Sequence, residues 1–151
     1  MNYHYTESGL DHIWLEDGFT LENHPNYGEL VSIWNVRGLH LAIGQWLIGQ
    51  PRGLTGAEFR FLRTEMDLSQ RVLGELLGVT DQAIAKWEKA RQKPVTNKAA
   101  ERLLRVCYSN TVGGSGEFAT ILDRITKLDA EMAEIELHLE KSAEGGWAKA
   151  A

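Results

Sequence analysis

Apolar positions along the chain follow two periods, and the change from one to the other divides it. Over residues 2–34 apolar and polar residues alternate in short runs: Tyr3 and Tyr5 around His4, then His12-Ile13-Trp14-Leu15, Phe19-Thr20-Leu21 and Leu30-Val31-Ser32-Ile33-Trp34. Turn-forming clusters separate these runs at Glu7-Ser8-Gly9, Glu16-Asp17-Gly18 and Asn23-His24-Pro25-Asn26-Tyr27-Gly28. The pattern predicts a small antiparallel sheet of three or four strands, too short to stand without a partner for its apolar face. From Asn35, a candidate N-cap, the spacing becomes helical. Val36, Leu39, Ile43, Trp46 and Leu47 should lay one helix on that sheet, with Gly38 and Gly44 weakening it. Gly49-Gln50-Pro51-Arg52-Gly53 interrupts the pattern and reads as a domain boundary.

Helical spacing then continues. Thr55-Gly56-Ala57-Glu58 fits a capping box ahead of Phe59, Leu62 and Met66. Ser69 caps a short helix carrying Val72, Leu73, Leu76 and Leu77, and Gly78 can take the left-handed conformation that ends it. Thr80 caps the next helix, whose buried side is Ile84 and Trp87 and whose other side is Asp81, Gln82, Ala85 and Lys86. Small Gly74 allows these two helices to cross closely, which is a helix-turn-helix whose second helix can enter the DNA major groove. After Arg91-Gln92-Lys93-Pro94, Thr96 or Asn97 should cap a helix to about Tyr108 with Ala100, Leu103, Leu104 and Cys107 inward. The last apolar series is Phe118, Ile121, Ile125, Leu128, Met132, Ile135 and Leu139, alternating steps of three and four. It predicts one long amphipathic helix over residues 117–142, serving either dimerisation or docking on its own domain. In a parallel pair Arg124 would face Asp129 but Glu131 would face Glu136, so charge does not choose between them. Residues 143–151 read as a flexible tail. The expected fold class is α+β: a strand-rich domain over 1–50, an all-α domain over 54–110 and the C-terminal helix.

Charge sharpens this division. The net charge of −5 is unpromising for a DNA binder, yet residues 1–51 carry one basic and six acidic side chains, residues 52–110 eleven and seven, and residues 111–151 four and eight. The only basic segment is the one holding the paired helices, so counterion release on DNA would be driven from there. One cysteine, Cys107, rules out an intramolecular disulfide and a cysteine-based zinc finger. No stretch has the ~20 apolar residues of a membrane span, and Met1-Asn2-Tyr3-His4-Tyr5 lacks the features of a signal peptide. A cytoplasmic protein is expected.

Gln82 and Lys86, four apart near the start of their helix, suit bidentate pairing with adenine and donation to guanine O6 and N7. Ala83 or Ala85 can meet a thymine methyl, and Asp81 can cap the helix or accept from cytosine. Ser69, Gln70 and Thr80 stand at helix starts, where phosphates are held, and Lys89, Arg91 and Lys93 should reach the backbone. Trp87 reads as core rather than as a base-stacking residue. No phosphate loop, nucleophile elbow or HExxH motif is present. His4, His12, His24 and His40 are scattered without ligand spacing, and Ser8 with Asp11-His12 makes a triad only on paper. No metal, cofactor or enzymatic activity is expected.

The stretch built on Gln70, Gly74, Gly78, Val79, Ile84 and Trp87-Glu88 resembles the Cro/CI-type (XRE-like) helix-turn-helix family. The resemblance implies base reading by Gln82 and Lys86. Ala90 departs from the family, where glycine is common after the recognition helix, so the following loop should take its own path. With Lys93-Pro94 and Glu101-Arg102-Leu103-Leu104-Arg105-Val106, the layout over residues 1–108 resembles the MqsA/YgiT-type antitoxins and related regulators. In those proteins the N-terminal domain holds zinc through cysteines and binds a toxin; the zinc cysteines are absent here. The expectation is a homodimeric regulator, a repressor or autoregulating antitoxin, reading a palindromic operator in double-stranded DNA. The alternatives are an acidic interaction module that neutralises a toxin or other basic partner, and a sensor whose small ligand enters among Trp14, Phe19, Tyr27 and Trp34.

Overall fold

The computed structural model describes residues 2–112 and 138–150, in the order β1 (Tyr3–His4), β2 (Trp14–Leu15), β3 (Phe19–His24), β4 (Gly28–Ile33), α1 (Val36–Ile48), α2 (Gly56–Glu65), α3 (Gln70–Leu77), α4 (Asp81–Lys89), α5 (Lys98–Thr111), β5 (Leu139–Lys141) and β6 (Trp147–Lys149). The class is α+β. No helix among these residues is long and apolar enough to cross a membrane.

The strands do not make one sheet. β1 pairs with β2, and β3 pairs with β4 in a separate hairpin closed between His24 and Gly28. The chain turns at Gly18 (φ 79°) between the pairs, and the Trp34 N–H donates to the Gly18 carbonyl at 2.8 Å, so β3 leaves β2 instead of extending it. Phe19, Leu21, Val31 and Ile33 face one another across the register. Phe19 meets the Tyr3 ring at 5.4 Å, which links the two hairpins.

The helix expected to lie on the sheet packs mainly on other helices. Ile43, Gly44 and Leu47 of α1 are buried, and Ile43 and Leu47 share a single cluster with Tyr5 and Leu10 from the N-terminus, Phe59 and Leu62 of α2, Leu73, Ile84, and Leu104, Cys107 and Tyr108 of α5. Gly44, unfavourable by helix propensity, is there for packing: a Cβ at that position would overlap the Tyr108 hydroxyl. Val36 and Trp46, expected inward, are exposed: Val36 is the first residue of the helix, about two turns before the buried Ile43, and Trp46 is turned to the side of the stripe through Ile43 and Leu47. The break at 49–53 is therefore a bend over a continuous core rather than a gap between two cores. Arg105 reinforces it by donating to the carbonyls of Ile48 (3.3 Å), Gln50 (2.5 Å) and Arg52 (2.6 Å) while pairing with Glu101.

At the start of α2 the capping box forms as expected, with Glu58 N–H donating to Thr55 Oγ1 at 3.3 Å and the Thr55 N–H to Glu58 at 2.8 Å. Gly56 sits where α2 meets the end of α4. An added Cβ would fall 2.7 Å from the Ala90 carbonyl oxygen and nearer still to that of Trp87. Backbone cannot swing aside as a side chain can, so Gly56→Ala should cost about 1–3 kcal/mol of stability, read as a lower urea midpoint.

Six of the seven seam residues, Phe118, Ile121, Ile125, Leu128, Met132 and Ile135, lie outside the described residues. The seventh corrects the expectation at its end: Leu139 opens β5, paired antiparallel with β6, and does not continue a helix to residue 142. Residues 143–150, read as a tail, supply the turn and the second strand. Gly145 (φ 90°) makes the turn, with Gly145 N–H on the Ser142 carbonyl and Ser142 N–H on that of Gly146. A Gly-Gly pair between two short runs is a hairpin signal, and the helical spacing upstream obscured it.

Candidate nucleic-acid interface

α3, the turn and α4 form the expected unit, and each end has an identifiable cause. Ser69 Oγ accepts from Val72 N–H at 3.1 Å. Gly78, at φ 72° and ψ 29°, closes α3 in the left-handed conformation. Val79 N–H then donates to the Gly74 carbonyl at 2.9 Å. A Cβ at Gly74 would stand 2.7 Å from the Val79 carbonyl oxygen, so the small residue permits the turn to fold against α3. Thr80 Oγ1 accepts from Ala83 N–H at 3.1 Å and starts α4. Both helices therefore begin at solvent with a neutral cap and with first-turn N–H groups to spare, the arrangement that holds phosphate.

α4 presents one side to the interior. Ile84 is fully buried, and Trp87 lies edge-on to Phe59 at 5.6 Å, a core position as expected. The opposite side carries exposed Asp81, Gln82, Lys86 and Lys89, with half-buried Ala83 and Ala85 beside them. Ser69, Thr80 and Lys93 are also exposed. The structure thus brings most of the sequence-derived contact set to one helix face and its rim.

Two members of that set are engaged internally. Gln70 Nε2 donates to Glu88 Oε1 at 3.1 Å, and Arg91 Nη2 donates to the Gly9 carbonyl at 2.6 Å. Ala90 ends α4 at φ −82° and ψ 66°, outside the left-handed region, so no glycine is needed there and the loop does take its own path. That path brings it to the N-terminal segment: beside the Arg91 bond, Gln92 Nε2 donates to Asp11 Oδ2 at 2.8 Å.

Sequence reasoning missed the group that locks the unit. Arg63 of α2 meets Glu88 of α4 through a two-pronged pair, Nε to Oε2 at 2.7 Å and Nη2 to Oε1 at 2.8 Å, and its Nη1 donates to the Leu68 carbonyl at 2.9 Å. Gln70 joins from α3, so one buried carboxylate ties three helices. The signal was available: Glu88 stands four residues after Ile84, on the apolar face, and a charge in that position needs a buried partner.

A second buried carboxylate supports the edge of the unit. Glu58, almost wholly enclosed, takes both prongs of Arg52 at 2.7 and 2.6 Å and has His12 Nε2 at 3.2 Å. Burial pushes its pKa up, but the Arg52 guanidinium and the Thr55 N–H outweigh burial and hold it below the ordinary carboxylate value. A group with a depressed folded-state pKa contributes stability that is complete above its unfolded value and is lost as pH falls through the folded one. Urea midpoints should therefore drop on acidification below the ordinary carboxylate range, and Arg52→Ala should move that drop to higher pH.

The four N-terminal histidines each have other company: His4 stacks on Trp14, His12 faces Glu58, His24 accepts from Asn26 N–H, and His40 bridges Tyr5 and Glu65. Among the described residues no group of three or more His, Cys, Asp or Glu is placed to hold a metal ion. Ser8 Oγ accepts from Leu10 N–H while His12 Nε2 points to Glu58, so the paper triad has no nucleophile–base contact.

Residues 55–108 match the family model described as a helix-turn-helix domain. No curated protein and no solved structure matches the chain.

Proposed function

We propose, for a chain whose residues 55–108 form a Cro/CI-like helix-turn-helix domain and so point to a DNA-binding regulator, that it acts as a homodimeric repressor reading a palindromic operator. The observation that carries this is the exposed face of α4, with Gln82 and Lys86 side by side above a rigidly tied helix. Ser69 and Thr80 at the helix starts, with Lys89 and Lys93 at the rim, hold phosphates and set the register. Asp81 accepts from cytosine or braces the helix start, and Ala83 and Ala85 pack against thymine methyls. Two copies would place their recognition helices about 34 Å apart, one turn of duplex. The heptad-spaced residues 118–135 are the candidates for joining them. Gln70 and Arg91, occupied within the chain, brace the reading face from behind and from the exit of α4.

Binding to a labelled duplex of the gene's own upstream region, against scrambled DNA at two salt concentrations, tests the reading. The expected result is sequence-selective binding that weakens as salt rises, through counterion release from the basic segment. Equal, purely salt-driven binding to both duplexes would overturn it. An antitoxin role is a second reading, favoured by the acidic residues 1–51 and their exposed Trp14, Tyr27 and Trp34, which suit a basic protein partner; co-purification with the product of a neighbouring gene would support it.

A further inference from the structure

A cavity of about 380 Å³ opens where the β2–β3 connection meets the start of α1. The residues that line it include Trp14, Glu16, Asp17, Trp34, Asn35 and Gly38. None of these residues belongs to α3 or α4. Both indoles are left open to solvent, Trp14 at 57% and Trp34 at 78% exposure, whereas aromatic rings of this size ordinarily bury most of their surface.

The cavity is framed by fixed parts. His4 stacks on Trp14 with ring centres 4.2 Å apart and planes 13° from parallel, and His4 Nε2 is itself 2.6 Å from the Asp11 carbonyl. Trp34 is held through its backbone on Gly18. Asn35 adopts a left-handed conformation, φ 48°, and its Oδ1 accepts from Gly38 N–H at 3.2 Å; a Cβ at Gly38 would overlap that side chain.

Among the described residues neither Glu16 nor Asp17 has an ion-pair partner. Arg37, the single Lys or Arg in residues 1–51, does not line the cavity. The start of α1 brings roughly half a positive charge, which two carboxylates exceed. The chain already shows the matching contact elsewhere, with the Arg52 guanidinium 6.0 Å from the centre of the Trp46 ring. Indole faces attract a cation through their quadrupole and its alkyl groups through apolar contact, while carboxylates supply the counter-charge. A neutral guest would leave those carboxylates unanswered, and a bare metal ion, strongly hydrated and without alkyl groups, would lack the apolar contact with the indoles.

We propose that this cavity is a binding site for a small organic cation, an alkylated ammonium. Its volume falls within the range of roughly 300–1,000 Å³ typical of small-ligand sites. The site stands independently of the DNA-binding reading, since its test observes indoles and not DNA.

The probe is choline chloride, added to the ¹⁵N-labelled full chain with the indole N–H signals assigned through Trp14→Phe and Trp34→Phe. Its neutral isostere 3,3-dimethylbutan-1-ol and sodium chloride of equal ionic strength serve as comparisons. Choline should shift the Trp14 and Trp34 signals saturably and leave that of core Trp87 in place, with the isostere at least about tenfold weaker. Asp17→Asn and Trp34→Ala, both at exposed positions, should each weaken choline by about fivefold or more while the remaining spectrum is unchanged. Equal response to choline and the isostere, the same shifts with sodium chloride alone, or no saturable shift would each overturn the proposal.

Discussion

Glu88→Ala is expected to cost about 3–5 kcal/mol, the usual penalty for removing one partner of a buried ion pair. The Arg63 and Glu88 side chains are only 12% and 4% exposed. Without the carboxylate, the Arg63 guanidinium keeps one hydrogen bond, to the Leu68 carbonyl, and Gln70 loses its acceptor. The charge left behind can be relieved only by opening the junction of α2, α3 and α4. A domain of this size has about 5–15 kcal/mol of stability in all, so the variant should unfold at markedly lower urea and lose DNA binding with its fold. Glu88→Gln keeps the shape and one acceptor and should retain more stability than the alanine variant. Urea titrations of the three proteins decide it, and a loss below about 1 kcal/mol would place the pair among ordinary surface bridges.

Gln82→Ala with Lys86→Ala is the complementary case, in which the fold should survive and recognition should not. Both side chains are exposed on α4 and neither contributes to the core, so stability should change by no more than about 0.5 kcal/mol per site. Each well-made bidentate base contact is worth about 1–3 kcal/mol of discrimination. The double variant should therefore bind its operator roughly thirtyfold to twenty-thousandfold more weakly. Non-specific binding should fall much less, because the helix-start N–H groups and the remaining cations still meet phosphate. Titration of operator and scrambled duplexes gives both numbers. An unchanged operator affinity would remove α4 as the reading element.

These two variants also mark how far local pattern carries. Ser69, Gly78 and Thr80 act on groups within four residues of themselves, so their capping and turning roles could be read before any tertiary contact was known. The same holds for Gln82 and Lys86, which face solvent because Ile84 and Trp87 on the same helix face inward. The bounds of α2 to α5 and the reading face of α4 are in this sense properties of the sequence itself. What joins elements distant in the chain was not legible. Period-2 runs announced strands but not their partners, and the chain divides them into two hairpins at Gly18. Composition marked a boundary at residues 49–53, yet Tyr5, Leu10, Ile43 and Leu47 enter the same core as Leu104 and Tyr108. The Gly-Gly turn after Leu139 was masked by the helical spacing before it. Gln70 and Arg91 looked available to DNA until Glu88 and the Gly9 carbonyl, 18 and 82 residues away, took their polar ends. Periodicity and capping are short-range effects of backbone geometry and are written in neighbouring residues. Partner choice for a buried charge or an unpaired carbonyl is settled by desolvation, which acts only once the folded chain has brought distant groups together and excluded water from between them.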